Sequence, residues 1–220
     1  MTIGHERVIV PELLDHASPD VARANLRDLV RINRYLGGHT ILRHIMSDFV
    51  RSKEGRFSLL DIGAASGDMG AMLRHRYPRA IITSLDRSCV HLEEAGHPKL
   101  AADAFMLPFA ARSFDFVFSS LFLHHFTDDQ VVELFRNFQT LARRAVLAID
   151  LERGPLAYHF IPATRWLFRW HDISLYDGPV SVRAAFKKDE LLALALRAGL
   201  DQARVNVHRP WARLSLVAPL

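Results

Sequence analysis

At 220 residues, half of them apolar, the chain can bury one substantial core and reads as one domain with appendages. A formal charge of +4 disperses 28 basic residues among 24 acids, the pattern of an ordinary surface and not of a nucleic-acid face. The single cysteine, Cys89, excludes an intramolecular disulfide framework and fits a reducing cytosol. The opening residues lack a charged head followed by a long apolar core, and no apolar run approaches ~18 residues. No secretory leader or membrane span is therefore expected, and a cytoplasmic location is.

In chain order, Asp20 to Tyr35 carries apolar residues at helical spacing, with Asp20 placed to cap the start after Pro19. Gly37-Gly38 ends that helix, and Ile41 to Val50 reads as a second. Phe57 to Ile62 is a first strand, Gly67 to Arg76 a helix, and Ala80 to Leu85 a second strand closed by Asp86. A short helix is expected around His91 to Ala95, then a brief strand near Leu100 to Ala102 closed by Asp103. Phe114 to Ser119 is apolar enough to be buried on both faces. Asp128 to Ala142 has a wide apolar stripe, and Ala145 to Ile149 is a fifth strand ending at Asp150.

Leu156 to His171 is aromatic-rich and reads as one helix. Lys188 to Ala198 is another, with Gly199 suited to a left-handed cap. Ala203 to His208 and Arg213 to Ala218 are closing strands. Five alternations of strand and helix argue for a doubly wound α/β fold, a Rossmann-like parallel sheet with helices on both faces. The last strands form an antiparallel edge hairpin, giving a seven-stranded, mostly parallel sheet preceded by N-terminal helices.

The segment L-L-D-I-G-A-A-S-G-D-M-G, Leu59 to Gly70, is the ligand-bearing corner of such a sheet. Gly63 and Gly67 allow a sharp turn and bring bare backbone close to a ligand. Asp61, Asp86 and Asp103 stand at the ends of three successive strands, where this architecture opens its crevice. An acid placed like Asp86 can accept both hydroxyls of a ribose. A nicotinamide dinucleotide is the rival ligand, but its G-x-G-x-x-G pattern meets Gly63, Ala65 and Asp68, and an aspartate facing a pyrophosphate is electrostatically wrong.

This set resembles the class I S-adenosylmethionine-dependent methyltransferases. Asp61, Gly63, Ala65 and Gly67 match the acid-and-glycine signature, with alanine where the second glycine usually stands; Asp86 matches the ribose acid. Ala102-Asp103-Ala104-Phe105-Met106-Leu107-Pro108-Phe109 matches A-D-A-x-x-L-P-F, and the likeness continues through Ser113 to Val117 and Leu123 to Phe126. The resemblance covers roughly residues 55 to 150. It implies S-adenosyl-L-methionine as cofactor and S-adenosyl-L-homocysteine as product. The glycine turn would hold the methionine part and Asp103 the adenine amino group, with Phe105 or Met106 packed on the ring. Arg87, Ala104 and Ser119 complete the implied cofactor set.

After the fourth strand the chain reads S-S-L-F-L-H-H-F, without the N/D-P-P-Y of amide- and exocyclic-amine-modifying relatives. His124-His125 resembles the paired histidines of quinone-biosynthesis and other small-molecule methyltransferases. One would pack beneath the cofactor and the other act as general base, with His125 or His124 preferred over His159 and His171. Asp150 either orients such a histidine or only turns the chain. Adjacent histidines are expected to point apart, so no metal is expected.

Residues 1–54 are expected to form a helical cap contributing to the substrate pocket, and 55–220 the cofactor-binding domain with a helical flap at about 155–187. Tyr35, His159, Trp166 and Trp170 are the substrate-facing candidates, and the flap's aromatic stripe suits a hydrophobic acceptor. The stretch I-N-R-Y-L-G-G is also similar to methyltransferases acting on polyketide-type or resorcinol-like products. The expected activity is methyl transfer to the hydroxyl oxygen of a phenolic or polyketide-like small molecule. The alternatives are C-methylation of a quinol-like ring and cofactor binding without catalysis; a nucleic-acid partner is not expected.

Overall fold

The computed structural model describes residue 4 and residues 6–220; residues 1–3 and 5 of the expected N-terminal cap lie outside the described residues. Seven strands form one sheet: β1 (Ser58–Ile62), β2 (Ile81–Asp86), β3 (Lys99–Ala101), β4 (Phe114–Ser120), β5 (Ala142–Leu151), β6 (Arg204–His208) and β7 (Arg213–Pro219). Their order is β3-β2-β1-β4-β5-β7-β6. The β1–β2, β1–β4, β2–β3 and β4–β5 pairs are parallel, and β7 runs antiparallel to both β5 and β6.

Alternate residues of the central strands feed two cores, as the period-2 geometry of a strand requires. Leu60, Ile62, Val117 and Val146 face one side, beneath α4 (Asp128–Leu141) and α8 (Lys188–Arg197). Leu59, Phe116, Phe118 and Leu147 face the other, beneath α2 (Gly38–Phe49) and α3 (Asp68–Arg76). Phe116 meets Phe49 and Phe57 edge-on at centroid separations of 5.3 and 5.5 Å. Fully burying a side chain of this kind contributes about 1.5–3 kcal/mol, and burial on both faces explains the near-continuous apolar runs of β4 and β5.

Helix α1 (Pro19–Tyr35) begins at Ser18 with Pro19 in its first turn, so Asp20 sits inside the helix and not at its cap. A second departure lies at His91 to Ala95, which forms turns instead of a helix. The expected single helix over 156–171 is two pieces, α5 (Pro155–Ala163) and α6 (Arg165–Phe168). Thr164 marks the break, and its Oγ1 accepts from Trp170 Nε1 at 3.0 Å.

Helix α7 (Asp172–Ala184) lies within the expected helical flap, although Gly178 and Pro179 are locally helix-breaking residues. Tertiary contacts hold it. His171 Nδ1 caps the helix by accepting from Ile173 N, and the buried Asp28 of α1 accepts from His171 N at 2.7 Å and Ser174 Oγ at 2.8 Å. Asn25, also on α1, donates to Ser174 Oγ. The polar face of α1 is thus buried against α7, and α7 also contacts α5.

Candidate active site

The carboxyl ends of β1, β2, β4 and β5 open onto a cavity of 1150 Å³. The segment from Ile9 to Ala17 closes it above, with contributions from α1, α5 and α7. Leu13 N and Leu14 N both donate to Asp177 of α7, which ties that segment down.

The turn after β1 lines the cavity. Gly63 has φ +69°, and a Cβ there would stand 2.3 Å from the Phe122 ring. Gly67 has φ +70°, and its Cβ would collide with Ala95 at 2.8 Å. Ala65 also takes a positive φ, +48°. For a residue with a Cβ that conformation costs about 1–2 kcal/mol, offset here by a hydrogen bond from Ala65 N to Asp86 Oδ2 at 3.0 Å. Asp86 Oδ1 accepts from Ser88 N at 2.9 Å and lies 3.2 Å from His91 Nδ1. Burial opposes the charge of Asp86, but His91 and the Ser88 and Ala65 amides outweigh it and hold the carboxyl below its usual range. Asp61 is the opposite case. Its Oδ2 is buried without a hydrogen-bond partner, and desolvation, reinforced by Asp68 and Asp86, drives the carboxyl well above the usual range.

Asp103 is exposed and accepts from Phe105 N at 2.9 Å, turning the chain so that Phe105 packs edge-on to Phe126, with ring centroids 5.4 Å apart. Asp61, Gly63, Ala65, Asp86, Arg87, Asp103, Ala104 and Phe105 all line the cavity. Gly67 and Ser119 do not. Gly67 is the N-cap of α3, while Ser119 is sealed inside the sheet with the neighbouring Ser120 on the wall. Met106 projects to solvent at 80% exposure.

The histidine pair lines the cavity from the 3-10 turn Leu123–His125 that follows β4. The two rings do not point apart. They stack at 4.4 Å with an interplanar angle of 28°, because the tight turn brings successive side chains to the same side. Their environments differ. His124 is 3% exposed; its Nδ1 donates to Asp150 Oδ1 at 2.6 Å, and its Nε2 lies 3.6 Å from Glu12 Oε1. Burial disfavours a charged ring, yet Asp150 and Glu12 together raise the pKa of His124 to about 10. Both carboxylates favour the charged form of the His124 ring, and each of its ring nitrogens faces one of them. His125 is half-buried against it.

Asp150 is the anchor of this cluster. Besides His124 Nδ1 it accepts from the backbone N–H groups of Leu123, His124 and Leu151. Burial alone would raise it, but His124 and the Leu151 amide leave it lowered. Glu12, also buried, is lowered to about 2 by His124 and His125 against the opposing desolvation. Glu12, His124 and His125 also present ligand atoms within 4.8 Å of one another, a grouping hidden at the sequence level because Glu12 is more than 110 positions away. No helical or strand pattern marks Glu12 in the sequence.

The substrate-facing candidates separate. Tyr35 lines the cavity mouth, 61% exposed. The other three lie off the cavity. His159 and Trp166 face solvent, Trp166 at 87% exposure, and Trp170 is buried in a stack with Phe168 at 4.9 Å. The break at Thr164 is the reason, since it rotates Trp166 and Trp170 off a common face. Their places on the wall are taken by Leu156, Phe160 and Ile161 of α5 and Val182 of α7.

Acids closing β2 and β3, the acid-and-glycine turn after β1, and a sheet completed by an antiparallel β7 make up a fold shared with solved S-adenosylmethionine-dependent methyltransferases. Within it, residues 60–151 match the family model described as a methyltransferase domain. Over 74 residues the chain is 36% identical to malonyl-[acyl-carrier protein] O-methyltransferase 1 of Coxiella burnetii; the match spans 34% of this chain and 26% of that protein. The fold is shared with the plantazolicin methyltransferase BpumL, solved with S-adenosylhomocysteine and a triazolic analogue. That likeness has a TM-score of 0.67 at 14% identity and covers 91% of this chain and 90% of the other. It is shared too with a S-adenosylmethionine-dependent methyltransferase from Aquifex aeolicus, with a TM-score of 0.57 at 14% identity, covering 80% and 88%. No helix among the described residues is long and apolar enough to cross a membrane.

Proposed function

We propose that this chain transfers a methyl group from S-adenosylmethionine to the hydroxyl oxygen of a hydrophobic phenolic or polyketide-like acceptor. The observation that carries this reading is one continuous cavity. Its lining includes Asp86 and Asp103, the histidine His125, and the apolar side chains Phe160, Ile161 and Val182. The residues present fit the cofactor. Asp61 Oδ2, Ser120 Oγ and Arg213 Nη1 are buried polar atoms without partners, all on residues lining the cavity. The O-methyltransferase name of the Coxiella relative agrees with an oxygen acceptor.

In this reading Asp86 accepts the ribose hydroxyls, Asp103 the adenine amino group, and the turn from Gly63 to Gly67 accommodates the amino-acid end. Bound there, S-adenosylmethionine supplies an electrophilic methyl on a positively charged sulfur. The protein's part is positioning and proton removal. The segment around Glu12, together with α5 and α7, excludes water from a reaction in which opposite charges are neutralised. His125 takes the hydroxyl proton on a ring nitrogen, and its stack on the anchored His124 holds that ring in place.

Incubation with S-adenosylmethionine and a panel of alkylphenols and alkylresorcinols should yield S-adenosylhomocysteine and the methyl ether. Cofactor binding without turnover on any phenol would sink the acceptor assignment. Saturation at ~100 times the dissociation constant should add about 2.7 kcal/mol of stability, a rise of roughly 5–11 °C in Tm for a chain of this size. Asp86→Asn should weaken S-adenosylhomocysteine binding about 10- to 100-fold, the loss of charge-assisted hydrogen bonds, as read by calorimetry. An unchanged affinity would remove Asp86 from the site.

A further inference from the structure

Arg213 opens β7, opposite Leu151 at the carboxyl end of β5, so its guanidinium enters the crevice from the edge hairpin. It is 1% exposed and lines the cavity. Its polar atoms are poorly served. Nη1 has no hydrogen-bond partner, and Nη2 lies 3.5 Å from Asn33 Oδ1, the limit of a hydrogen bond. Asp150 and Asp68 are the acids that act on it, but both are engaged elsewhere. Asp150 holds His124 and three backbone amides, and Asp68 accepts from Asn33 Nδ2 at 3.3 Å and pairs with His39 Nε2 at 2.9 Å.

Arg153, also fully buried, shows what a structural arginine looks like in the same protein. Both of its Nη atoms hold Glu190, at 2.9 and 2.6 Å, and one also reaches the Ala185 carbonyl. A buried cation without such an arrangement is costly unless an anion completes it. The planar fork of a guanidinium matches a carboxylate through two parallel hydrogen bonds.

We infer that Arg213 is the carboxylate receptor of the cavity, pairing through its unsatisfied Nη1 edge with a carboxylate of the bound ligands. Two ligands could bring that group: the amino-acid end of the cofactor, or an acceptor that bears a carboxyl beside its hydroxyl. The first rests on the methyl-transfer reading and the second does not. Burial already lowers the Arg213 pKa to about 10, so an incoming anion also relieves a desolvated cation.

The test compares two ligand pairs in the wild type, Arg213→Lys and Arg213→Met. One pair is S-adenosylhomocysteine and its decarboxylated form; the other is an alkylsalicylate and the corresponding alkylphenol. In the wild type at least one carboxylate should bind about 10- to 100-fold more tightly than its partner compound. Arg213→Met should erase that preference while leaving the carboxylate-free compound bound as before, and Arg213→Lys should restore part of it. Loss confined to the first pair places the cofactor's amino-acid end on Arg213; loss confined to the second places an acceptor there. No preference in either pair, or a preference that survives in Arg213→Met, overturns the inference. If neither adenosine compound binds, the methyl-transfer reading falls, and the salicylate pair still decides the role of Arg213. If the Met variant does not fold, the wild-type preference and the Lys variant decide it.

Discussion

Replacing Asp150 by alanine is expected to cost about 3–5 kcal/mol of stability, the range for removing one partner of a buried ion pair. At 220 residues that is a fall of roughly 6–20 °C in Tm. The size of the effect follows from what Asp150 does. It is 1% exposed, balances the buried His124 imidazolium at 2.6 Å, and receives the backbone N–H groups that start the turn at Leu123. Without it, the His124 ring and three amide donors lose their acceptor inside the protein. Urea unfolding of wild type and variant would measure this directly. A loss under 1 kcal/mol would mean that His124 is not charged in the folded protein.

The same cluster predicts the pH dependence of stability. His124 is raised from 6.5 to about 10 on folding, so the folded state holds a proton that the unfolded chain releases. Its contribution is present in full below pH 6.5 and is lost as the pH rises towards 10. Glu12 is lowered from 4.5 to about 2, so its contribution is present above pH 4.5 and is lost as the pH falls towards 2. Between pH 4.5 and 6.5 both are intact, and urea midpoints should be highest there. His124→Gln should flatten the alkaline limb and weaken the acid limb as well, because His124 also lowers Glu12 and Asp150; an alkaline limb of unaltered slope would reassign it to other groups.

The second large effect concerns His125. His125→Ala should lower kcat about 10²- to 10⁴-fold, the range for loss of a general base, while leaving the dissociation constant of S-adenosylhomocysteine within about twofold. A fall of less than about fivefold would shift catalysis to positioning alone, which in-line methyl transfer to a pre-ionised phenol can tolerate. His124→Gln separates the two histidines, because it should move stability and its pH dependence before it moves turnover at saturating substrate.

The sheet was legible because its strands are short apolar runs punctuated by acids and glycines, each dictated by local geometry. The Asp61–Gly67 turn and the acids Asp86 and Asp103 were legible for the same reason: they occupy places that a parallel strand end imposes. The division of labour between His124 and His125 was not. It depends on Glu12 and Asp150, which reach the pair from opposite sides, one of them across more than a hundred residues. The flap was expected to be helical, but α7 was not set apart within it, since Gly178 and Pro179 oppose it locally and Asp28 and Asn25 of α1 help to hold its start. The tryptophans of the flap misled for a similar reason. Helical spacing predicts a shared face only while the helix continues, and it breaks at Thr164.

By itself, then, the sequence determined the α/β alternation, the antiparallel closing hairpin and the acidic glycine-turn crevice, because periodicity and turn chemistry act over a few neighbouring residues. Only the tertiary structure decided which histidine is set between two carboxylates, that Arg213 enters the cavity with an unmet edge, and which apolar side chains line that cavity. Those properties arise from burial and from charges brought together across the chain, and neither has any signature in local order.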